Sequence, residues 1–188
     1  MARPKNDELK AQITAAVRRQ FLEQGYRATS YSTIAQECGI SRNLVQYHFP
    51  KKEQLAEAFM ESLLEECMDE LGLGEADLVG DFANTKAVGA RYFSKLLASE
   101  GSRRFLQDVL ASRDMTEDIL AFNLEWALSH VGAGPAKTAD ARVRRSIVLH
   151  MGGFYELLYW SLRHGEAIDV PTELGGVVDA FQEALKEG

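Results

Sequence analysis

Four side chains between positions 42 and 46 could hydrogen-bond to nucleic-acid bases or pack against them. Arg42 can reach a guanine edge, and Asn43 or Gln46 can pair with adenine in a major groove. Leu44 is apolar, and a thymine methyl on the same face would be a suitable partner for it. A short helix beginning at Arg42 would place this group on its outer face. The alternative is a helical hairpin that touches no DNA.

The residues just before this group predict a helix-turn-helix. An apolar stripe at Ile34, Ala35 and Cys38 indicates a first helix, which Gly39 would end in a left-handed conformation. Ser41 offers a side-chain oxygen at the start of a second helical run, as an N-cap does. A helix, a three-residue turn containing glycine and a second short helix make up this motif.

A longer string of motifs surrounds the predicted helix-turn-helix and runs in order without a gap. Its members are FLEQGY at 21–26, Thr29-Ser30, Ile34-Ala35, Gly39-Ile40-Ser41, Tyr47-His48-Phe49 and Lys52-Glu53-Gln54-Leu55. Residues 9–55 therefore resemble the N-terminal domain of the tetracycline-repressor (TetR) family of bacterial transcription regulators. Two positions depart, because the family usually has a small or hydroxyl residue in place of Leu44 and an aromatic in place of Gln46. The operator sequence therefore cannot be inferred from a relative.

The resemblance implies that this domain contacts both bases and phosphates of double-stranded DNA. Base reading is expected from Arg42, Asn43, Leu44 and Gln46. Phosphate contacts would use hydroxyls, cations and helix N-terminal amides. The residues expected to make them are Ser30, Ser32, Tyr47, His48 and Lys52, and Ser41 at the start of the second helix belongs to the same DNA-binding set.

The charge distribution favours DNA binding at one end of the chain. The 188 residues carry a formal net charge of −7, but residues 1–52 hold nine basic and four acidic side chains, a balance of +5. The remaining residues hold twelve basic and twenty-four acidic side chains, a balance of −12. One end can therefore meet phosphates while the other repels them.

Composition and apolar periodicity predict an all-α globular protein of the cytoplasm, with no membrane span, no signal peptide and no metal site or cofactor. Cys38 and Cys67 are expected to be separate thiols in a reducing compartment. We expect a three-helix DNA-binding domain over 1–50 and a helical effector-binding and dimerisation domain over 51–188. Gly132-Ala133-Gly134-Pro135 is the clearest internal break. The predicted helices lie at about 7–24, from 30 or 31, from 42, from 51 or 52 to 71, and at 76–98, 102–112, 115–131, 138–164 and 173–187.

The last two predicted helices carry broad apolar faces. Gly152-Gly153 falls in the middle of the first of them, which suggests close approach to a partner helix or a cavity. The resemblance implies a homodimer through a four-helix bundle, which suits a pseudo-palindromic operator. The alternative is that both helices only close the core of one protomer. The residues expected at the dimer interface are Ile147, Met151, Phe154, Leu158, Leu162, Leu174, Val177, Val178, Phe181 and Leu185.

The resemblance also implies a pocket for a small effector among the central helices. Each candidate more often belongs to ordinary core than to a pocket, and for His150 the alternative is a core histidine with its hydrogen bonds satisfied. Aromatic and aliphatic candidates predict an apolar or aromatic effector, with one polar contact from His150. The candidates are Phe59, Leu63, Phe93, Phe122, Trp126, His150 and Tyr155.

An enzyme is not expected from this sequence. It has no glycine-rich phosphate loop, no nucleophile elbow and no cluster of His, Cys and Asp at ligand spacing. The prediction is a ligand-responsive transcriptional regulator, most often a repressor in the family it resembles, that leaves its operator when an effector binds. The alternative is an architectural DNA-binding dimer of the same fold without an effector.

Overall fold

The computed structural model describes residues 3–130 and 141–186, and every regular element within those ranges is helical. The all-α prediction is therefore confirmed. The predicted break at Gly132-Ala133-Gly134-Pro135 lies outside the described residues. The helices are α1 Arg3–Ala28, α2 Tyr31–Cys38, α3 Arg42–His48, α4 Lys52–Leu71, α5 Phe82–Leu97, α6 Glu100–Leu110, α7 Arg113–His130, α8 Ala141–His164 and α9 Val170–Lys186, with a 3-10 turn at Glu75–Leu78 before α5.

Local capping explains where the predicted helix bounds hold and where they shift. Gly25, at φ 85°, interrupts α1 at the residue predicted to end it. The helix predicted over 76–98 is instead a 3-10 turn followed by α5, and Asp81 accepts the Asn84 amide at the start of α5. Helix α9 begins three residues before the predicted position 173, because Asp169 accepts the Thr172 amide there.

The described residues form two compact units. The first unit contains the residues up to Glu66 together with Lys95–Asp108, and the second unit contains Cys67–Ser94 and the residues from Val109 onward. The first unit includes the whole helix-turn-helix but is larger than the predicted 1–50 domain. The additional residues come from α4, the end of α5 and most of α6.

The core of the first unit is a cluster of aromatic rings. Phe21, Phe59 and Phe105 are fully buried, and their ring centroids lie 4.8–5.7 Å apart. A Cβ on Gly101 would come within 1.7 Å of the Leu22 carbonyl oxygen, so α6 approaches α1 at a distance that only glycine permits. The Glu66 carboxylate accepts hydrogen bonds from Arg18 and Lys95, which joins α4 to α1 and α5.

The second unit packs α7, α8 and α9 around an aliphatic and aromatic core. This core contains Leu128, Val143, Ile147 and Phe181, and all four side chains are buried. Helix α5 joins the unit through Phe82, whose ring meets the Phe181 ring edge-on at 6.2 Å between centroids. The second unit is thus held together by burial of apolar side chains from several helices.

Candidate nucleic-acid interface

Helix α2 is held at both ends by interactions that its own sequence encodes. The Ser30 hydroxyl accepts the Thr33 backbone amide, and the Thr33 side chain accepts the Ser30 amide, so the two residues form a capping box. Gly39 ends the helix at φ 66°, a left-handed conformation in which other residues are strained. This end of α2 sets the direction of the turn into α3.

The seven residues of α3 are anchored from beneath and at both ends. Val45 is fully buried, and the Ser41 hydroxyl accepts the Leu44 amide at 3.2 Å as an N-cap. The Tyr31 hydroxyl donates to the Phe49 carbonyl at 2.9 Å, which ties the end of α3 to the start of α2. These anchors leave the opposite face of α3 free to meet another molecule.

A polar network joins α1 to α2. Glu37 accepts hydrogen bonds from Gln20 and Arg19, and the Gln20 oxygen accepts the Thr33 hydroxyl at 2.7 Å. The hydrogen bond from Gln20, together with Arg19, holds the pKa of Glu37 below its usual range. Glu37 therefore stays ionised and the network keeps α2 in a defined orientation on α1.

The outer face of α3 presents the side chains predicted to read bases. Arg42 and Asn43 are exposed, and Leu44 and Gln46 are partly exposed beside them. Tyr47 is 76% exposed, and its ring meets the partly exposed His48 ring edge-on at 5.4 Å. The structure thus brings these predicted residues together on one short helix.

The predicted phosphate contacts fall into two groups. Ser32 is exposed, while the exposed Ser30 and Ser41 already accept backbone amides as N-caps and keep only their hydroxyl protons to donate. Lys52 is only partly exposed, and its ammonium lies 4.3 Å from the centroid of the Tyr26 ring. Burial lowers the pKa of Lys52. The sequence analysis missed this intramolecular partner, because Tyr26 lies 26 residues away along the chain.

The predicted effector residues do not all lie together. Phe59 and Leu63 belong to the buried interior of the first unit, with Phe59 in its aromatic cluster. In the second unit, Phe93 and Tyr155 do come together, with 6.4 Å between their ring centroids. Phe122 is 46% exposed and Trp126 is partly exposed.

His150 was predicted to add a polar contact inside the pocket, but the structure places it on the surface of α8. Its Nδ1 lies 2.8 Å from the Ser146 carbonyl oxygen one turn earlier. The polar residue that does meet Tyr155 is Asn123, whose side-chain nitrogen donates to the Tyr155 hydroxyl oxygen. A single asparagine on an apolar helix face was the signal in the sequence that could have identified it.

The residues predicted at the dimer interface mostly face the interior of the second unit. Six of the ten are buried within the protomer, so they have little surface left to offer a partner: Ile147, Phe154, Leu158, Leu174, Val178 and Phe181. Met151, Leu162, Val177 and Leu185 are partly buried. The apolar side chains that α8 exposes lie on its other side, and the largest are Leu149 at 63% and Trp160 at 55%.

Neither a metal-binding cluster nor a membrane-spanning helix occurs among the described residues. In residues 3–130 and 141–186, His, Cys, Asp and Glu do not gather in any group of three that could hold a metal ion. Over the same ranges, none of the helices combines the length and the apolar character needed to span a bilayer.

The helix-turn-helix and the helices on either side of it match a known family. Residues 13–59 match the model for bacterial regulatory proteins of the tetR family. The HTH-type transcriptional regulator TtgR of Pseudomonas putida is 27% identical over 114 residues, which are 60% of this chain and 54% of TtgR. The probable HTH-type transcriptional regulator ArpR of the same species is 36% identical over 58 residues, 31% of this chain and 28% of ArpR. The chain thus aligns with about half of TtgR and just over a quarter of ArpR.

The fold also has a match among solved structures. A tetR-family transcriptional regulator from Streptomyces coelicolor superposes with a TM-score of 0.59 at 18% identity, over 96% of this chain and 82% of that one. At that identity the likeness shows the fold alone. The family match covers α2, α3 and parts of α1 and α4, so this part of the chain resembles the N-terminal domain of bacterial regulatory proteins of the tetR family.

Proposed function

We propose that this protein is a homodimeric transcriptional regulator that binds double-stranded DNA through α3 and responds to a small molecule held in its second unit. The observation that carries the proposal is the outer face of α3, where Arg42 and Asn43 are exposed on a helix anchored from beneath. Arg42 can pair with guanine and Asn43 with adenine in a major groove. A regulator needs such a surface to discriminate one operator from bulk DNA.

Dimerisation would present two copies of α3 to one DNA duplex. Recognition helices that enter successive major grooves lie about 34–36 Å apart, and a two-fold dimer reads a pseudo-palindrome. The described surface of α8 supports a second copy as the partner. Leu149, Gly153, Leu157 and Trp160 recur at helical spacing on its exposed side, and a Cβ on Gly153 would meet open space within the protomer.

Regulation would follow from a change in the distance between the two α3 helices of the dimer. Helix α4 contributes residues to both units, so a ligand that favours one position of α4 would favour one spacing of the two α3 helices. A ligand that prefers the spacing incompatible with B-DNA would lower operator affinity. This is a population shift, and its size is limited by the difference in ligand affinity between the two arrangements.

The experiment begins with genomic footprinting to find the bound operator. Fluorescence anisotropy would then compare a duplex carrying that operator with a scrambled duplex of the same composition at one stated salt concentration. A regulator should bind its operator at least about a thousandfold more tightly than the scrambled duplex. Equal affinity for both duplexes would contradict the proposal.

The same assay separates a ligand-responsive regulator from an architectural dimer. Operator affinity that falls when a small molecule is added supports the regulator. Operator affinity that no molecule alters, across a library of neutral aromatic compounds, supports an architectural DNA-binding dimer instead.

A further inference from the structure

The aromatic interior of the second unit contains polar groups that its own packing does not require. The Phe93 ring meets the Phe154 ring edge-on at 4.9 Å, and the Tyr155 ring lies 6.4 Å from Phe93. Tyr155 is only 3% exposed, so its hydroxyl is deep inside the protein. A phenylalanine at this position would fill the same space without burying an oxygen.

Asn123 fixes the direction of the Tyr155 hydroxyl. Its side-chain nitrogen donates to the Ile119 carbonyl at 2.8 Å and also to the Tyr155 oxygen. The first of these bonds identifies the nitrogen end of the amide, so the Tyr155 oxygen is the acceptor in the second. The hydroxyl proton of Tyr155 must therefore point elsewhere, and no hydrogen bond from it reaches any residue in the described ranges.

A second phenol, the partly exposed Tyr92, lies beside this interior. Burial raises the pKa of Tyr92 well above its usual value, and the neighbouring Tyr155 and Cys67 side chains raise it further. Within the described residues, the Tyr92 hydroxyl makes no hydrogen bond. Tyr155 therefore keeps an enclosed O–H donor with no acceptor from those parts of the chain, and the hydroxyl of the partly exposed Tyr92 is a second donor near it. A buried donor without an acceptor is destabilising.

The same groups limit the charge of a molecule that could bind there. Burial alone raises the pKa of Tyr155, and no charged side chain in the described ranges contributes to the pKa shift of Tyr155 or Tyr92. Both phenols therefore remain neutral donors at physiological pH. An anionic ligand would be buried without a counter-charge, which is strongly unfavourable. A neutral molecule with an accepting oxygen satisfies both donors.

We propose that Tyr155 and Tyr92, with Asn123 as the positioning residue, bind the oxygen of a neutral aromatic ligand that carries a carbonyl or ether acceptor. Phe93 and Phe154 would pack on the rings of that ligand. This inference rests on the proposed regulatory function, because it names the class of molecule to which the second unit responds. It extends the expected apolar effector by adding one specific hydrogen-bonding requirement.

The test uses a pair of molecules that differ only in the acceptor. Benzophenone and diphenylmethane have the same two rings, but only benzophenone has a carbonyl oxygen. Calorimetric titration of the 188-residue protein should give at least about fivefold tighter binding of benzophenone, as one to two added hydrogen bonds predict. A third probe, 2-benzoylbenzoate, adds a carboxylate and should bind more weakly than benzophenone.

Variants that each lack one tyrosine hydroxyl then show which hydroxyl donates to the carbonyl oxygen of benzophenone. Tyr155→Phe and Tyr92→Phe should each weaken benzophenone binding by about 2–10-fold and leave diphenylmethane binding unchanged. Tyr159→Phe is the matched control, because Tyr159 lies one turn along α8 with its ring beside Arg163, and it should change neither affinity. Circular dichroism melting of each variant would show that the fold is retained.

Several outcomes would overturn the inference. Equal affinity for the two molecules, or binding of neither, would mean that the donors bind ordered water only. Equal losses of affinity for benzophenone and diphenylmethane in Tyr155→Phe would mean that the hydroxyl stabilises the fold and does not bind the ligand. Tighter binding of 2-benzoylbenzoate than of benzophenone would contradict the prediction of a neutral ligand. Benzophenone binding that leaves operator affinity unchanged would support the ligand class while contradicting the regulatory function, so the two failures are distinguishable.

Discussion

The two units expose opposite chemistry, each on the surface of one helix. In the first unit, α3 exposes the hydrogen-bonding side chains Arg42 and Asn43, while its apolar Val45 is buried. In the second unit, α8 exposes Leu149 and Trp160. Polar groups that read bases are stable in water before they meet DNA, whereas a row of large apolar side chains gains free energy when a partner covers it. The contrast separates the proposed nucleic-acid surface on α3 from the proposed dimer surface on α8.

The interiors differ as well. The rings of Phe21, Phe59 and Phe105 are apolar and fully buried, and the phenol that packs against them, Tyr26, is partly exposed, which is the composition of a structural core. The rings around Tyr155 enclose hydroxyl and amide groups. Burying polar groups is costly unless they are hydrogen-bonded, so the second interior is less stable than an apolar one of the same shape. That difference is expected where a unit binds a ligand.

The largest expected effect is on the core of the first unit. Phe59→Ala should lower the free energy of unfolding by about 3–5 kcal/mol, because it removes a fully buried ring that touches two others. Urea denaturation would measure the change. The control is Phe122→Ala, which removes a ring that is 46% exposed and should cost less than half as much. Similar losses for both variants would contradict the contrast between the units.

The next effect concerns assembly through α8. Leu149→Glu should weaken the dimer by at least about tenfold, or ~1.4 kcal/mol, because it would place a charge on each side of the proposed interface. Sedimentation would follow the change from dimer to the 20.9 kDa protomer. Val79→Glu is the matched control, since Val79 is 58% exposed in the same unit but belongs to the segment between the 3-10 turn and α5. A Leu149→Glu protein as dimeric as the control would move the interface elsewhere.

Removing one base contact of α3 should cost a free energy of DNA binding that is comparable to or smaller than the loss of dimer stability in Leu149→Glu. Arg42→Ala should weaken operator binding by about 1–3 kcal/mol and relax the preference at one base pair. Arg113→Ala removes an equal charge from the second unit and should leave operator affinity nearly unchanged. Anisotropy titrations on the operator and on a scrambled duplex would measure both variants. Equal losses on the two duplexes would make Arg42 a phosphate contact.

Two adjacent lysines should differ in how much each contributes to electrostatic DNA binding. Lys51 is exposed, whereas the Lys52 ammonium lies over the Tyr26 ring and donates to the Arg27 carbonyl at 3.5 Å. Lys51→Ala should reduce the slope of log affinity against log salt by about 0.9. Lys52→Ala should leave that slope unchanged and lower the melting temperature slightly, by loss of the cation–π contact. The reverse pattern would restore the predicted phosphate contact of Lys52.

The smallest effect is the acid sensitivity of the first unit. Hydrogen bonds from Arg18 and Lys95 lower the pKa of Glu66 to about 2, below its unfolded value of about 4.3. The contribution of ionised Glu66 to the free energy of unfolding is therefore fully present above the unfolded pKa. It is lost as the pH falls through about 2. Solvent partly screens this group, whose side chain is 30% exposed, so the loss should be under ~1 kcal/mol. Glu66→Gln should flatten the decline of the melting temperature between pH 5 and 2, and an unchanged decline would contradict the assignment.

The helix-turn-helix could be predicted from sequence because its determinants are local. Ser30, Gly39 and Ser41 act within three or four residues of their own position, as caps and as a left-handed turn. The same was true of Gly25 at the end of the regular part of α1. The early start of α9 was missed because the apolar stripe begins at Leu174, whereas Asp169 caps the helix five residues earlier.

The orientation of α8 shows what the sequence left open. Both of its sides carry apolar residues, so periodicity alone could not tell the side that packs inside the protomer from the side left exposed. The structure buries Phe154 and Leu158 and exposes Leu149, Leu157 and Trp160. Only the positions of α7 and α9 decide that choice.

By itself the sequence determined the fold class, the resemblance of its N-terminal part to the TetR family and the residues that α3 presents, because caps, turns and helical periodicity depend on near neighbours. The tertiary structure decided which distant side chains meet. It placed Lys52 over Tyr26, Asn123 against Tyr155, and Phe59 among the rings of the first unit rather than in a pocket. These pairings join residues 26, 32 and 38 positions apart, and packing between separate helices brings them together.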